Sequence, residues 1–452
     1  MSELIKKALA DCDDTDLVIM GEDVVGRTGE AFRTLFGGSA AVIVADGNTW
    51  QVAGDQVRES LSSSGVRLED SLILPAHPTV YASYENVLMI KEFLAPLDAI
   101  AVCIGSGTLN DLAKRASDEL GRRYMTVCTA ASMDGYAAFG ASITENGFKH
   151  TMSCRSPQGL IADLRIIAGA PNRCTATGVG DLIEKIPAGA DWIVADALGV
   201  EPIDREVWDL VQGPLRGAVA EPEEIAAAHP QALEGLVEGL VMSGLAMQKY
   251  RVSSRPASGA GHQFSHVWEM EHLGMDAEPP LTHGFKVGLG TIATCALWEN
   301  VLKLDLTTLN VDAAVAKWPS AEQMEAKVRA NFTGDMLEPA VEQTMGKYLG
   351  AEALRSRLEL VVEKWPTIQR RCCEQIMPAG QVESILKAVG GIYHPEQIGL
   401  TEERFHETYI RCQMIRTRYT LLDLLMEAGI LDEQVDRLFE SDGFWGRRPW
   451  SK

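Results

Sequence analysis

The hydrophobic pattern changes character near residue 170. Before it, short apolar runs of strand length alternate with amphipathic stretches. Ala-Val-Ile-Val-Ala at 41–45 ends at Asp46, Ala-Ile-Ala-Val-Cys-Ile at 99–104 ends at Gly105, and Tyr-Met-Thr-Val-Cys at 124–128 ends at Thr129. Helical periodicity fills 50–63, 84–95 and 108–120 between them. Uninterrupted apolar runs suit strands covered on both faces, and their alternation with helices predicts a parallel sheet. Ligands of such sheets bind at the carboxyl ends of the strands, where Asp46, Gly105 and Thr129 fall.

Beyond about residue 175 helical periodicity dominates, over 231–250, 284–303, 320–332, 336–349, 351–363 and 402–427. Pro and Gly punctuate it at 213–214, 255–261, 279–284 and 378–380. The expectation is an α/β nucleotide-binding domain over 1–170 and an all-helical domain over 171–452. Ala-Gly-Ala-Pro at 168–171 suits a hinge, and the active site is expected in the cleft between the domains. The helical region beyond 306 is expected to cover that cleft or to form a subunit contact.

Composition narrows the function. The chain has 452 residues, 46% hydrophobic and 23% charged, which is ordinary soluble composition. A net charge of −22 opposes binding to nucleic acid or to an anionic membrane surface. An anionic substrate therefore needs a local cluster of cations or N–H donors. Nine cysteines are scattered without a Cys-x-x-Cys pair, several inside apolar runs, and read as reduced core thiols of a cytoplasmic protein. No apolar stretch resembles a signal peptide or a bilayer span.

Two sets of residues carry chemistry. Gly-Ser-Gly-Thr-Leu-Asn-Asp at 105–111 follows a strand-like run and opens a helix, so its backbone N–H groups suit a pyrophosphate, or simply a tight turn. The third glycine of the usual dinucleotide fingerprint is replaced by Asn110, and the strand-end acid Asp46 precedes the glycines instead of following them. Asp46 reads either as an Asp-Gly turn or as an acceptor for the adenosine ribose. The second set is Gly-Val-Gly-Asp at 178–181, Ser-Gly-Ala-Gly-His-Gln-Phe-Ser-His at 258–266 and Leu-Thr-His-Gly at 281–284. Asp181 and two imidazoles make a three-ligand site with an open position, the arrangement of catalytic metals. His262 and His266, four apart, suit two ligands, or one ligand and a supporting His. Flanking Ser258, Gly259 and Gly284 let the backbone crowd around something.

Together these pieces resemble the glycerol-1-phosphate dehydrogenase family, within the superfamily of dehydroquinate synthase, glycerol dehydrogenase and iron-dependent alcohol dehydrogenases. The matching segments are Val-Ala-Asp-Gly-Asn-Thr at 44–49, 105–111, Cys-Thr-Ala-Ala-Ser-Met-Asp-Gly at 128–135 and Asn-Gly-Phe-Lys-His-Thr at 146–151. They continue through Ala-Asp-Leu at 162–164, Gly-Val-Gly-Asp-Leu-Ile-Glu-Lys at 178–185, Ser-Ser-Arg-Pro-Ala-Ser-Gly at 253–259 and Thr-His-Gly-Phe-Lys-Val at 282–287. Ile-Arg-Thr-Arg-Tyr-Thr-Leu-Leu-Asp at 415–423 looks like the longer bacterial branch. The family departs from this chain in usually having an acid where Gly261 stands and a proline within Thr-Ala-Ala-Ser at 129–132.

The resemblance implies a dehydroquinate synthase-like fold with an all-α metal-binding domain. It implies metal ligation by Asp181, His262 and His283, with zinc, nickel or iron as the divalent ion. It implies NAD(H) or NADP(H) with Gly105, Ser106, Gly107 and Thr108 on the pyrophosphate, Asp46 on the ribose, and Thr129 and Ser132 beside the nicotinamide. Asp111 and Lys149 lie near cofactor or substrate, and His266 or a water relays a proton. The implied reaction interconverts dihydroxyacetone phosphate and sn-glycerol 1-phosphate for phospholipid metabolism, in a homo-oligomer. Lys149, Lys185 and Arg255 are the candidate cations for the substrate phosphate. Rival readings are a glycerol or other polyol dehydrogenase, a sugar-phosphate cyclase and a non-catalytic scaffold; the Lys/Arg-rich motif of the cyclases is not evident.

A carboxylate at Asp46 would hydrogen-bond a ribose 2′-hydroxyl and repel a 2′-phosphate. NAD(H) is therefore expected to serve at least as well as NADP(H), with the balance moving toward NADP(H) in Asp46→Ala. Steady-state kinetics with both cofactors check this; a strong NADP(H) preference that Asp46→Ala leaves untouched would contradict it.

Overall fold

A computed structural model describes residues 3–10, 12–145 and 148–451, with the backbone alone for 148–150. Its strands are β1 Leu17–Gly21, β2 Ala40–Asp46, β3 Leu72–Leu74, β4 Ala99–Gly105, β5 Tyr124–Cys128, β6 Ala141–Glu145, β7 Phe148–Met152 and β8 Gly159–Asp163. Six of them form one sheet in the order β1-β8-β5-β4-β2-β3, with every neighbouring pair parallel. β6 and β7 make a separate antiparallel hairpin.

The apolar runs read from the sequence are strands because both their faces are covered. In β2, Ala40, Val42 and Val44 enter one core cluster, while Ala41, Ile43 and Ala45 enter another on the opposite face. The chain runs from β2 outward to edge strand β3, then returns to place β4 on the other side of β2. That reversal opens a crevice at the carboxyl ends of β2 and β4. Val44 is level with Cys103 there, so Asp46 and Gly105 end adjacent strands.

The remainder is mostly helical. The helices that matter for the site are α1 Gly107–Glu119, α2 Asn172–Ile183, α3 Lys185–Ala197, α4 Pro230–Lys249, α5 Ala260–Met270 and α6 His283–Val301. α6 is buried from Gly284 to Trp298, so its sequence is apolar all round instead of amphipathic. The core around it includes Phe264, Trp268, Leu386 and Tyr409. Ile5 and Ala8, from the short helix Glu3–Leu9, join the same core, which also takes in Val18, Met20, Leu160 and Ala162 from one face of the sheet.

Several elements differ from the sequence expectation. Strands β1, β3 and β8 and the β6–β7 hairpin are additional to the three strands read from the sequence. The helix expected over 351–363 continues to Gln375 through Pro366. The helix expected over 402–427 is interrupted: Glu402–Cys412 and a 3-10 turn Gln413–Ile415 precede an irregular 416–420, and Leu421–Glu427 restarts it. No Gly or Pro marks that break. Thr420 supplies it by capping the new helix, its backbone N–H and its hydroxyl both donating to Asp423 Oδ2, at 2.8 and 3.0 Å.

α2 and α6 approach backbone to backbone. A Cβ added at Gly180 would sit 2.3 Å from the Gly284 carbonyl oxygen, and one at Gly284 would sit 2.0 Å from that of Thr177. Gly180→Ala gains about 1 kcal/mol of helix propensity but must separate two helices, an overpacking cost of about 1–3 kcal/mol. A lower thermal midpoint is expected. Gly380→Ala, where no atom lies within 4 Å, is expected to raise it through about 0.4–1 kcal/mol. Thermal unfolding of both variants beside the parent checks the contrast.

Candidate metal centre and cofactor cleft

Asp181 ends α2, His262 lies in the first turn of α5 and His283 begins α6. One ligand atom from each lies within 4.8 Å of the other two. His262 Nε2 is 3.5 Å from Asp181 Oδ1. Both imidazoles are held from behind by carboxylates. His283 Nδ1 donates to Glu269 Oε1 at 2.7 Å, and His262 Nδ1 lies 2.8 Å from Glu184 Oε2. Nε2 of each ring is thus left for the shared point, which is how ligating histidines are usually oriented. A hard oxygen and two imidazoles converging on one point fit a divalent ion.

Glu184 and Glu269 were not singled out from the sequence, although their spacing carried a signal. Glu184 follows Asp181 by three residues and Glu269 follows His262 by seven, both returning to the same helical face. Glu184 also explains Gly261, where the family usually has an acid. A Cβ at Gly261 would lie 2.8 Å from Glu184 Cγ. The carboxylate facing His262 thus comes from the α2–α3 joint, and a side chain at 261 would collide with it.

The buried charges are matched. Burial pushes the Asp181 carboxyl up, but Lys185, His262 and His283 hold it well below the usual carboxylate range. Lys185, fully buried, contacts Asp181 Oδ1 at 3.0 Å and Asp134 Oδ2 at 2.8 Å, and donates to the Asp181 carbonyl. The Asp134 N–H donates to Asp181 Oδ2 at 3.0 Å. Burial lowers His262, yet Glu184 and Asp181 outweigh it and push the imidazole up to about 9. His266 is pushed well below its ordinary value by burial and by Arg416, so it stands neutral, 3.6 Å from Glu269 Oε2.

These ligands open onto a cavity of about 440 Å³ that also reaches the start of α1. Ser106, Gly107, Thr108, Asp111 and Ser132 line it together with Asp181, His262, His266 and His283. A Cβ at Gly107 would meet Met133 Sδ at 2.5 Å, so glycine there permits the turn into α1. The free N–H groups of α1 suit a phosphate. Asn110, in place of the third glycine, is buried and accepts from the Tyr124 hydroxyl at 3.0 Å. Asp111 accepts from the Ser142 N–H at 3.1 Å and lies 3.5 Å from Lys114. Lys114 also donates to the carbonyls of Gly135, Ala138 and Gly140 and so shapes the loop over the cofactor side.

Other expected residues have protein partners. Gly105 ends β4 and Thr129 follows β5, the Thr129 N–H donating to the Gly105 carbonyl at 3.1 Å. Asp46 caps Gly47–Thr49, accepting from the Thr49 N–H at 2.8 Å through Oδ1. Lys149 lies in β7 opposite Thr144, and its side chain is outside the described residues. Lys185 and Arg255 are not available as phosphate ligands. Lys185 is committed to Asp134 and Asp181, and buried Arg255 is committed to Glu201 at 2.7 Å and to the Tyr419 carbonyl at 2.8 Å. A buried cation without such partners would cost several kcal/mol, so both pairings are structural.

Known proteins resemble this chain in sequence and in fold. A family model described as iron-containing alcohol dehydrogenase matches residues 19–171. A glycerol-1-phosphate dehydrogenase [NAD(P)+] from Halalkalibacterium halodurans is 29% identical over 386 residues, 85% of this chain and 86% of the relative. One from Methanosarcina barkeri is 35% identical over 289 residues, 63% of this chain and 78% of the relative. Among solved structures, glycerol dehydrogenase from Schizosaccharomyces pombe shares the fold at 14% identity, with a TM-score of 0.58 over 95% of this chain and 92% of its own. No helix among the described residues is long and apolar enough to cross a membrane.

Ion binding must displace the proton that His262 holds below about pH 9. Zinc affinity of the metal-stripped protein is expected to rise by up to about tenfold per pH unit through neutrality, flattening near that pH. Asp181→Asn and His283→Ala are expected to lose the ion, and His266→Ala to retain it. Calorimetric titration of the four proteins between pH 6.5 and 9 tests both statements; full occupancy in Asp181→Asn and His283→Ala would remove the assignment.

Proposed function

This chain belongs to the glycerol-1-phosphate dehydrogenase family, and on that premise we propose that it reduces dihydroxyacetone phosphate to sn-glycerol 1-phosphate with NAD(P)H and catalyses the reverse. It is an NAD(P)-dependent oxidoreductase with a divalent metal. The observation that carries the substrate reading is the single cavity that Asp181, His262 and His283 share with the helix start at Ser106–Thr108.

The chemistry divides between bound groups and protein. A divalent ion supplies Lewis-acid polarisation of a ketone oxygen, and the nicotinamide supplies hydride. Asp181, His262 and His283 hold the ion, and Glu184 and Glu269 fix the two rings so that Nε2 faces it. The α1 N-terminus would hold the cofactor pyrophosphate through backbone N–H groups, while Lys114 holds the 135–140 loop. Ser132 orients the nicotinamide side. Neutral His266, on the cavity wall, relays the proton that completes the alcohol. The ion is zinc, nickel or iron, all compatible with one carboxylate and two imidazoles. The reading extends to a cytoplasmic homo-oligomer without nucleic-acid or membrane partners, in keeping with a net charge of −22.

NADH oxidation by the metal-reconstituted protein is expected to be at least about 100-fold more efficient on dihydroxyacetone phosphate than on dihydroxyacetone, the worth of two charge-assisted contacts to phosphate. Equal efficiency, or preference for the unphosphorylated ketone, would move the chain to the polyol dehydrogenases.

A further inference from the structure

With Lys185 and Arg255 committed elsewhere, the phosphate of such a substrate must be met by other groups of the cavity wall, which carries the cations Arg173 and Lys286 among its lining. On the metal side of the cavity the wall includes Ser254 and Ser258. Both hydroxyls are used in the same way. Arg418 donates to Ser258 Oγ at 2.7 Å through one terminal nitrogen and to Ser254 Oγ at 2.6 Å through the other. Each oxygen is thus an acceptor toward the arginine, and among the described residues neither hydroxyl donates to a protein acceptor. Its hydrogen is left to point into the cavity.

The arginine itself lacks a counter-charge. Among the described residues no carboxylate lies within ion-pair distance of Arg418 or of its neighbour Arg416, whose recorded hydrogen bond is to the Ile415 carbonyl at 3.2 Å. The carboxylates whose fields reach them are engaged elsewhere: Glu201 with Arg255, Glu184 with His262, and Glu269 with His283. Burial, with Arg255 and Arg416 nearby, pushes Arg418 down to about 9. A desolvated guanidinium without a counter-charge is costly unless an anion completes it. The backbone at the start of α5 does not compete for that anion, because the Gly259 and Ala260 N–H groups already donate to Glu184 and Asp191.

We propose that Ser254 and Ser258 are the donors to the phosphoryl oxygens of the substrate, polarised from behind by Arg418, with Arg416 adding to the positive field. This rests on the phosphorylated-ketone reading above and assigns its recognition site. Arg416 and Arg418 both come from the irregular 416–420 segment, so the C-terminal helices would serve the active site by delivering these charges. Arg418 is here a positioning residue and the serines are the ligands.

The test compares Ser254→Ala/Ser258→Ala and Arg418→Gln with the parent, each reconstituted with metal. The ratio of kcat/KM on dihydroxyacetone phosphate to that on dihydroxyacetone is the readout, with inhibition by inorganic phosphate measured alongside. The double serine variant is expected to lose about tenfold or more of the ratio per hydroxyl, mainly through KM, and to bind inorganic phosphate correspondingly more weakly. Should Arg418→Gln fail to fold, the serine variant carries the test alone. If the parent shows the preference and the serine variant keeps it within twofold, this inference is overturned while the proposed reaction stands. If the parent shows no preference, the reaction itself was misassigned. A defect confined to the KM for NADPH would place the serines on the cofactor and also overturn the inference.

Discussion

Three helices that touch backbone to backbone hold the site together. Gly180 of α2 meets Gly284 of α6, with Gly288 of α6 close behind, and Gly290 of α6 meets the Gly261 carbonyl of α5. These contacts leave no room for a Cβ, so α6 is clamped between the two helices that carry the other candidate ligands. Asp181 and His283 are neighbours because Gly180 and Gly284 are. His262 joins them because Gly261 packs directly on Gly290. Ligand convergence is thus a by-product of helix packing at distances only glycine allows. All three candidate ligands lie on helices and none on a loop, which suits a site that must keep its geometry.

The electrostatics follow from that close packing. Drawing helices together buries Asp181, Glu184, Lys185, Asp191 and His262 within a few turns of one another. Each is matched locally: Lys185 sits between Asp134 and Asp181, and Glu184 faces His262. Buried Asp191, pushed up to about 7 by burial, accepts the N–H groups of Ala260 and Leu421. The same carboxylate therefore anchors α5 and the returning C-terminal segment. The overall charge of −22 is irrelevant at this range, since pairs within the cavity wall decide the local potential.

The sheet and the helical region are joined through charge as well as apolar contact. Asp134, on the loop after β5, takes its place beside Asp181 and Lys185, and the Ser243 hydroxyl of α4 donates to it at 2.9 Å. The loop carrying Ser132 is thereby set against the metal side, and α1 points its first turn into the same cavity. The wall carrying Ser132 and the wall carrying Asp181 are held in register by one aspartate.

The sequence alone determined the classes of structure and chemistry. Period-two burial on both faces makes 41–45, 99–104 and 124–128 strands wherever they are placed, and continuous apolar helical stretches such as 284–303 have no alternative to a core. The ligand residue types, the glycine turn into α1 and the acidic charge balance were legible for the same reason: they are local. Partner choice was not. Lys185 and Arg255 looked free for a phosphate because a sequence lists cations without their neighbours, and only packing revealed Asp134 and Glu201 beside them. Asp46 looked like a ribose ligand, and the tertiary structure shows one of its oxygens capping a helix. Gly261 looked like a missing acid until Glu184 appeared across from it. The break at 416–420, with no Gly or Pro to announce it, came from Thr420 capping onto Asp423 and from Arg418 reaching Ser254 and Ser258. Side-chain partnerships between segments some fifty to more than a hundred and sixty residues apart depend on where helices cross, and that crossing is a property of the folded whole.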